Sequence, residues 1–204
     1  MSTGAGGSTG TQPVARWGGI DGNERLTAGV AVALILLLAV EGVTIVFLGQ
    51  LLPVHLFVGA LLIGPVLLKL ASTGYRFVRY YTRAPAYVDR GPPHIVLRAI
   101  GPIVVASTVA VLATGIALLA LGPQHRDPLL LLHKASFIVW IAFTGVHVLG
   151  HLRGLGAARE DLIAAGHELP GRSARAGTLA FALVGGVVLA IALVPLFGAW
   201  LHAR

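Results

Sequence analysis

The chain has 204 residues, of which 56% are hydrophobic and 11% charged, with a formal net charge of +7. So apolar a composition excludes an ordinary soluble domain of this length, and its long uncharged runs read as membrane spans. The absence of cysteine excludes disulfides, thiolate ligands, iron–sulfur clusters and thioether-attached haem.

Met1 to Asn23 is rich in Gly, Ser and Thr and reads as a disordered segment. It lacks the basic start and cleavage pattern of a signal peptide, so the apolar run that follows is expected to be a retained helix. A single transmembrane domain, 24–204, is expected beyond it. Its five spans are predicted at about 26–50, 54–75, 95–121, 129–152 and 178–201, each long enough to cross the hydrocarbon core. The second is entered through Pro53 and has a helical extension open to Tyr81. The stretch from Arg153 to Gly177 mixes Ala, Leu and Ile with Arg, Glu and Asp, a pattern that suits a short interfacial helix. The fold class expected is an all-α membrane bundle whose first four helices form the core.

The connections alternate in charge. Eleven Lys/Arg fall with the N-terminus, the second-to-third connection and the fourth-to-fifth connection; three fall on the other side, and Lys69 lies within a span. The positive-inside rule then puts the N-terminus in the cytoplasm and the C-terminus outside. The basic excess is thus loop charge, and nucleic acid is not an expected partner. A bacterial cytoplasmic membrane is the expected location.

Histidine at membrane depth is costly unless it binds or pairs. His55 lies near the start of span two and His133 near the start of span four. Both spans run from outside to inside, so the two imidazoles sit at comparable depth. Facing imidazoles on neighbouring helices can hold a cofactor in a bundle core, and two nitrogens at one depth can take both axial positions of a haem iron. His147 follows His133 by fourteen residues, a rotation of about 1400°, so both share a face about 21 Å apart along the axis. His151, eighteen residues from His133, completes the stripe. Ser136, Trp140 and Thr144 fall near it. Gly59, one turn below His55, leaves room where a flat ring would need it.

These features resemble the four-helix membrane b-type cytochromes, the group that includes cytochrome b561 and the cytochrome b subunits of hydrogenases and formate dehydrogenases. The resemblance covers residues 26 to 152 and rests on His55, on His133 with its spacing to His147, and on His147-Val-Leu-Gly-His151. The chain also resembles small five-span membrane proteins of actinobacteria. The cytochrome resemblance implies haem b, one group at His55 and His133, with a second admitted at His147 or His151 together with His94. It implies an electron-transfer subunit rather than a stand-alone enzyme. Electrons would pass within or across the membrane between a separate redox protein, or a larger respiratory-type complex, and quinone or another acceptor. Membrane lipid is the remaining expected partner.

The pattern departs from that family at residue 69, fourteen below His55, where lysine stands in place of histidine. Lys69 could pair with a propionate, ligate weakly or line a quinone pocket. Arg76, in the run Tyr75-Arg76-Phe77-Val78-Arg79-Tyr80-Tyr81, is a candidate propionate clamp, although such a run also serves as a headgroup anchor. The i, i+4 pair His147 and His151 would suit a metal ion as well. Glu41, deep in span one, is functional by default at that depth. Thr44, Ser107, Thr108 and Thr114 read as packing residues, and Gly64-Pro65 and Gly101-Pro102 as bends. The alternative class is a small transporter or ion-binding protein that uses Glu41, Lys69 and the intramembrane histidines.

Overall fold

A computed structural model describes residues 18–91, 95–152 and 170–203, with His125 by its backbone alone. The described residues form α1 (Gly19–Val46), α2 (Leu48–Tyr81), α3 (Pro85–Asp89), α4 (Ile95–Leu121), a 3-10 turn at Pro123–His125, α5 (Arg126–His151) and α6 (Arg172–Leu201), and they contain no strand. All but α3 are long and apolar enough to cross a membrane. The chain is an all-α, multi-pass membrane bundle, as the composition requires.

Several boundaries move. The first helix takes in Gly19 to Asn23, which the sequence reading left in the polar N-terminal segment. Arg90 holds that turn, bonding Asp21 Oδ1 at 2.8 Å and Glu24 Oε2 at 2.6 Å, while Arg76 bonds Glu24 Oε1 at 3.2 Å. The hydrogen bond and charge of Glu24 raise the Arg90 pKa further above its ordinary value. The second helix runs on to Tyr81, and α6 begins at Arg172, six residues before the predicted start. The interfacial helix expected at 153–177 otherwise lies largely outside the described residues.

Helices α1 and α2 are joined by Phe47 alone. The break that follows is at Leu51, whose φ of −104° and ψ of 16° leave the helical region. Pro53 accounts for it: proline lacks the N–H, and its ring crowds the carbonyl four residues back. The expected bends at Pro65 and Pro102 produce no comparable break, and both helices continue through them.

The packing pairs α1 with α2 and α4 with α5, while α6 lies along α2. The α2–α6 contact is backbone on backbone. A Cβ at Gly64 would fall 2.1 Å from the Ala182 carbonyl oxygen, and one at Gly186 would fall 2.2 Å from the Leu61 oxygen. Without a hydrophobic driving force between helices in lipid, such close approach supplies the dispersion contact that holds spans together. The two glycines make that approach sterically allowed, a role distinct from the bend expected at Gly64-Pro65. By contrast α2 and α4 meet sparingly. No described residue of α5 is fully buried, so its histidine stripe is only partly covered, by α4.

Candidate cofactor site

His55 and His133 each lie seven residues into their helices, α2 and α5. Each is held through Nδ1 by the other helix of its own hairpin. His55 Nδ1 is 2.9 Å from Glu41 Oε1 and 3.2 Å from Thr44 Oγ1, both on α1. His133 Nδ1 is 3.1 Å from the Val111 carbonyl oxygen and 3.0 Å from Thr114 Oγ1, both on α4.

Proton bookkeeping fixes the tautomers. A carbonyl oxygen only accepts, so His133 Nδ1 must carry the hydrogen. Thr114 has one hydroxyl proton, and it is directed to the Ala110 carbonyl at 2.7 Å. Toward His133 the Thr114 oxygen is therefore a second acceptor. The α1–α2 hairpin repeats the logic. Thr44 donates its proton to the Glu41 carbonyl at 2.6 Å, so toward His55 its hydroxyl oxygen accepts. With Glu41 ionised, both groups around His55 are acceptors, which calls for hydrogen on Nδ1. In the neutral imidazoles Nε2 then carries the lone pair, and neither Nε2 has a hydrogen-bond partner among the described residues.

That is the arrangement of a metal-ligating histidine, whose second nitrogen is tied to a carboxylate or carbonyl that fixes ring orientation and raises basicity. Glu41 is only 12% exposed and His55 21%, so the pair is largely shielded. His55 and Glu41 lie near enough to His133 to act on it electrostatically, which brings the two hairpins into one neighbourhood. Glycines border both halves. A Cβ at Gly59 would meet Glu41 Oε1 at 3.5 Å, and one at Gly115 would meet His133 Cε1 at 3.3 Å. The donor set, two neutral imidazoles with free Nε2 atoms and no thiolate, fits the axial ligation of a b-type haem. Among the described residues no group of three or more His, Cys, Asp or Glu side chains forms a cage for a bare metal ion.

A second polar cluster lies toward the other end of the same helices. The rings of His147 and His151 meet at a tilt of 54°, with centres 4.6 Å apart. Lys69 acts electrostatically on both, and Arg76 on His151. Lys69 Nζ donates to the Thr27 carbonyl at 2.9 Å. His147 Nδ1 is buried with no hydrogen-bond partner, in contrast to the anchored Nδ1 atoms of the first cluster. Arg76 is engaged by Glu24. His94 lies outside the described residues. Trp140, on the histidine stripe, donates to Thr108 Oγ1 at 3.0 Å and ties α5 to α4 between the two clusters.

Thr44, Thr114, Val111 and Gly115 have site roles that the sequence reading did not assign. Thr44 carried one signal: it lies a helical turn from Glu41, on the same face. No protein-family model, curated protein or solved structure matches the chain.

Proposed function

We propose that the chain is a membrane b-type cytochrome of the four-helix group, in which His55 and His133 would hold one haem b. Bound there, the haem would supply a one-electron couple. The chain's own residues do the rest. Glu41 and Thr44 hold the proton on Nδ1 of His55, and Val111 and Thr114 hold it on Nδ1 of His133, so each Nε2 is presented as a lone pair. Gly59 and Gly115 keep side-chain bulk out of the space beside the rings. The surrounding apolar helices exclude water, which strengthens each of these hydrogen bonds. The observation that carries the reading is the pairing of two anchored Nδ1 atoms with two unpartnered Nε2 atoms on different hairpins.

With both imidazoles engaged in holding the haem, the chain would serve as an electron relay, with substrate chemistry left to a partner. The arginine-rich end of the bundle lies in the cytoplasm on the positive-inside rule. The His55/His133 site is then near the outer face, where a separate redox protein exchanges electrons with it. Quinone is the acceptor that suits the polar cluster of Lys69, His147 and His151 at the other end.

The test is the absorption spectrum of the purified protein from haem-replete cells, oxidised and dithionite-reduced, with haem quantified per chain. A sharp Soret band with split visible bands and one haem per chain is expected. His55→Ala or His133→Ala should abolish the spectrum, and His147→Ala should leave it. A folded, colourless preparation would overturn the proposal and turn attention to transport through Glu41 and Lys69.

A further inference from the structure

At the end of the bundle that holds the α2 C-terminus, cations outnumber the carboxylates available to them. Asp21 and Glu24 are taken by Arg90 and Arg76. Arg79, Arg83 and Arg98 have no carboxylate partner among the described residues. Aromatic rings hold two of them instead. The Arg79 guanidinium carbon lies 5.8 Å from the Tyr87 ring centre, and that of Arg98 lies 5.6 Å from the Tyr81 ring centre. Arg98 also donates to the Tyr81 hydroxyl. A cation–π contact positions a guanidinium without consuming all its N–H donors.

Arg83 adds an independent observation. Its φ is 57°, in the left-handed region. Arg83 N–H donates to the Tyr80 carbonyl at 3.1 Å and Ala84 N–H to the Arg79 carbonyl at 3.0 Å. Those two bonds close a helix in the Schellman manner, and the residue at this position is usually glycine. Arginine there bears a backbone strain that glycine avoids. The side chain lines a cleft of about 480 Å³ together with Tyr80, Tyr81, Pro85, Val88 and Asp89. Asp89 is the sole carboxylate among those lining residues. Val88 in the cleft and Phe77, whose ring meets that of Tyr81, are exposed apolar side chains, and Val78 and Ile95 are exposed on the helices that carry Arg79 and Arg98.

We infer that this cleft is a binding site for the head group of an anionic phospholipid. Arg83 and Arg98 face the phosphate from the cleft and its rim, Arg79 adds charge alongside, and the exposed apolar residues carry the acyl chains. The apolar border is what selects lipid over a soluble phosphate, because a soluble anion has no use for it. The tyrosine and arginine run places the cleft where a span leaves the hydrocarbon for the headgroup layer. The inference does not rest on the cytochrome reading.

Native mass spectrometry of the full chain in neutral detergent tests it, with dioleoyl phosphatidylglycerol and dioleoyl phosphatidylcholine offered in equal amounts. Preferential retention of phosphatidylglycerol is expected. Each arginine removed should weaken that preference about fivefold, and the triple variant R79Q/R83Q/R98Q on the order of 100-fold. Arg83→Gly separates recognition from folding: it should weaken lipid retention while its melting temperature in neutral detergent stays level or rises. Equal retention of both lipids, an unchanged preference in the triple variant, or an Arg83→Gly variant that loses lipid only by melting earlier would overturn the inference. Displacement of phosphatidylglycerol by millimolar inorganic phosphate would do the same, and would assign a soluble-anion site.

Discussion

Glu41→Gln is the sharpest probe of the candidate site. The carboxylate accepts the Nδ1 hydrogen of His55 at 2.9 Å in a largely shielded position. Glutamine keeps an acceptor oxygen of the same reach and removes the charge. A hydrogen bond to a charged group contributes about 1.5–3 kcal/mol, against about 0.5–1.5 for a neutral one. The substitution therefore forfeits about 1 kcal/mol of ligand polarisation. The anionic acceptor makes His55 a stronger donor and favours the oxidised state of a bound iron, so the variant's midpoint potential should rise. At about 59 mV per tenfold change for one electron, 1 kcal/mol corresponds to a rise of roughly 40 mV. Redox titration followed at the reduced visible bands measures it. Under the cytochrome reading, haem content should remain near one per chain, because Gln can still accept the bond. A potential unchanged or lowered in a haem-replete variant would refute the argument, since it would mean that Glu41 brings no negative charge to His55.

Gly64→Ala should destabilise the bundle by about 1–3 kcal/mol, because its Cβ would overlap the Ala182 carbonyl oxygen and push α6 off α2. Thermal unfolding in detergent reads the loss, and an unshifted transition would disprove the close approach. Gly59→Leu fills the space in front of Glu41 and should lower haem occupancy without loss of helix content; full occupancy would show that the cofactor does not use that face. Arg90→Ala removes the clamp on Asp21 and Glu24. These groups are partly exposed, so the expected cost is no more than about 1 kcal/mol. The readout is faster proteolysis between α2 and α4, and unaltered cleavage would argue that the α3 region is held by its aromatic contacts instead.

Five spans, and the place of His55 and His133 near the starts of theirs, were legible because both follow from one-dimensional rules: hydropathy and helix rise. The partners of those histidines were not. Thr44 and Thr114 look like many other hydroxyls in apolar helices, and whether such a group bonds its own helix or a neighbour depends on interhelical rotation. Ser107 and Thr178, for instance, bond only backbone carbonyls of their own helices. Gly64 shows a different limit. Beside Pro65 it reads as a bend, and only the position of α6 reveals that its missing side chain is needed for packing. The place of α6 was hidden for the same reason: hydropathy identifies a span and says nothing of its neighbours.

The two hairpins obey one rule at one end and different rules at the other. In each, a threonine on the first helix anchors a histidine seven residues into the second. Fourteen residues further on, α5 presents His147 and α2 presents Lys69. The ends therefore differ in charge: Glu41 sits with His55, and Lys69 sits with His147 and His151. A group that gains negative charge on reduction is stabilised beside a lysine in a medium of low dielectric and destabilised beside a carboxylate. Under the cytochrome reading, electrons that reach the His55/His133 site are thus drawn toward the Lys69 end, and the acceptor belongs there. Lys69→Met should slow reoxidation of the reduced protein by a soluble quinone analogue at least tenfold while its absorption spectrum stays the same. Reoxidation at the wild-type rate would place the exit elsewhere and leave the Lys69 contact to Thr27 as a purely structural tie between α1 and α2.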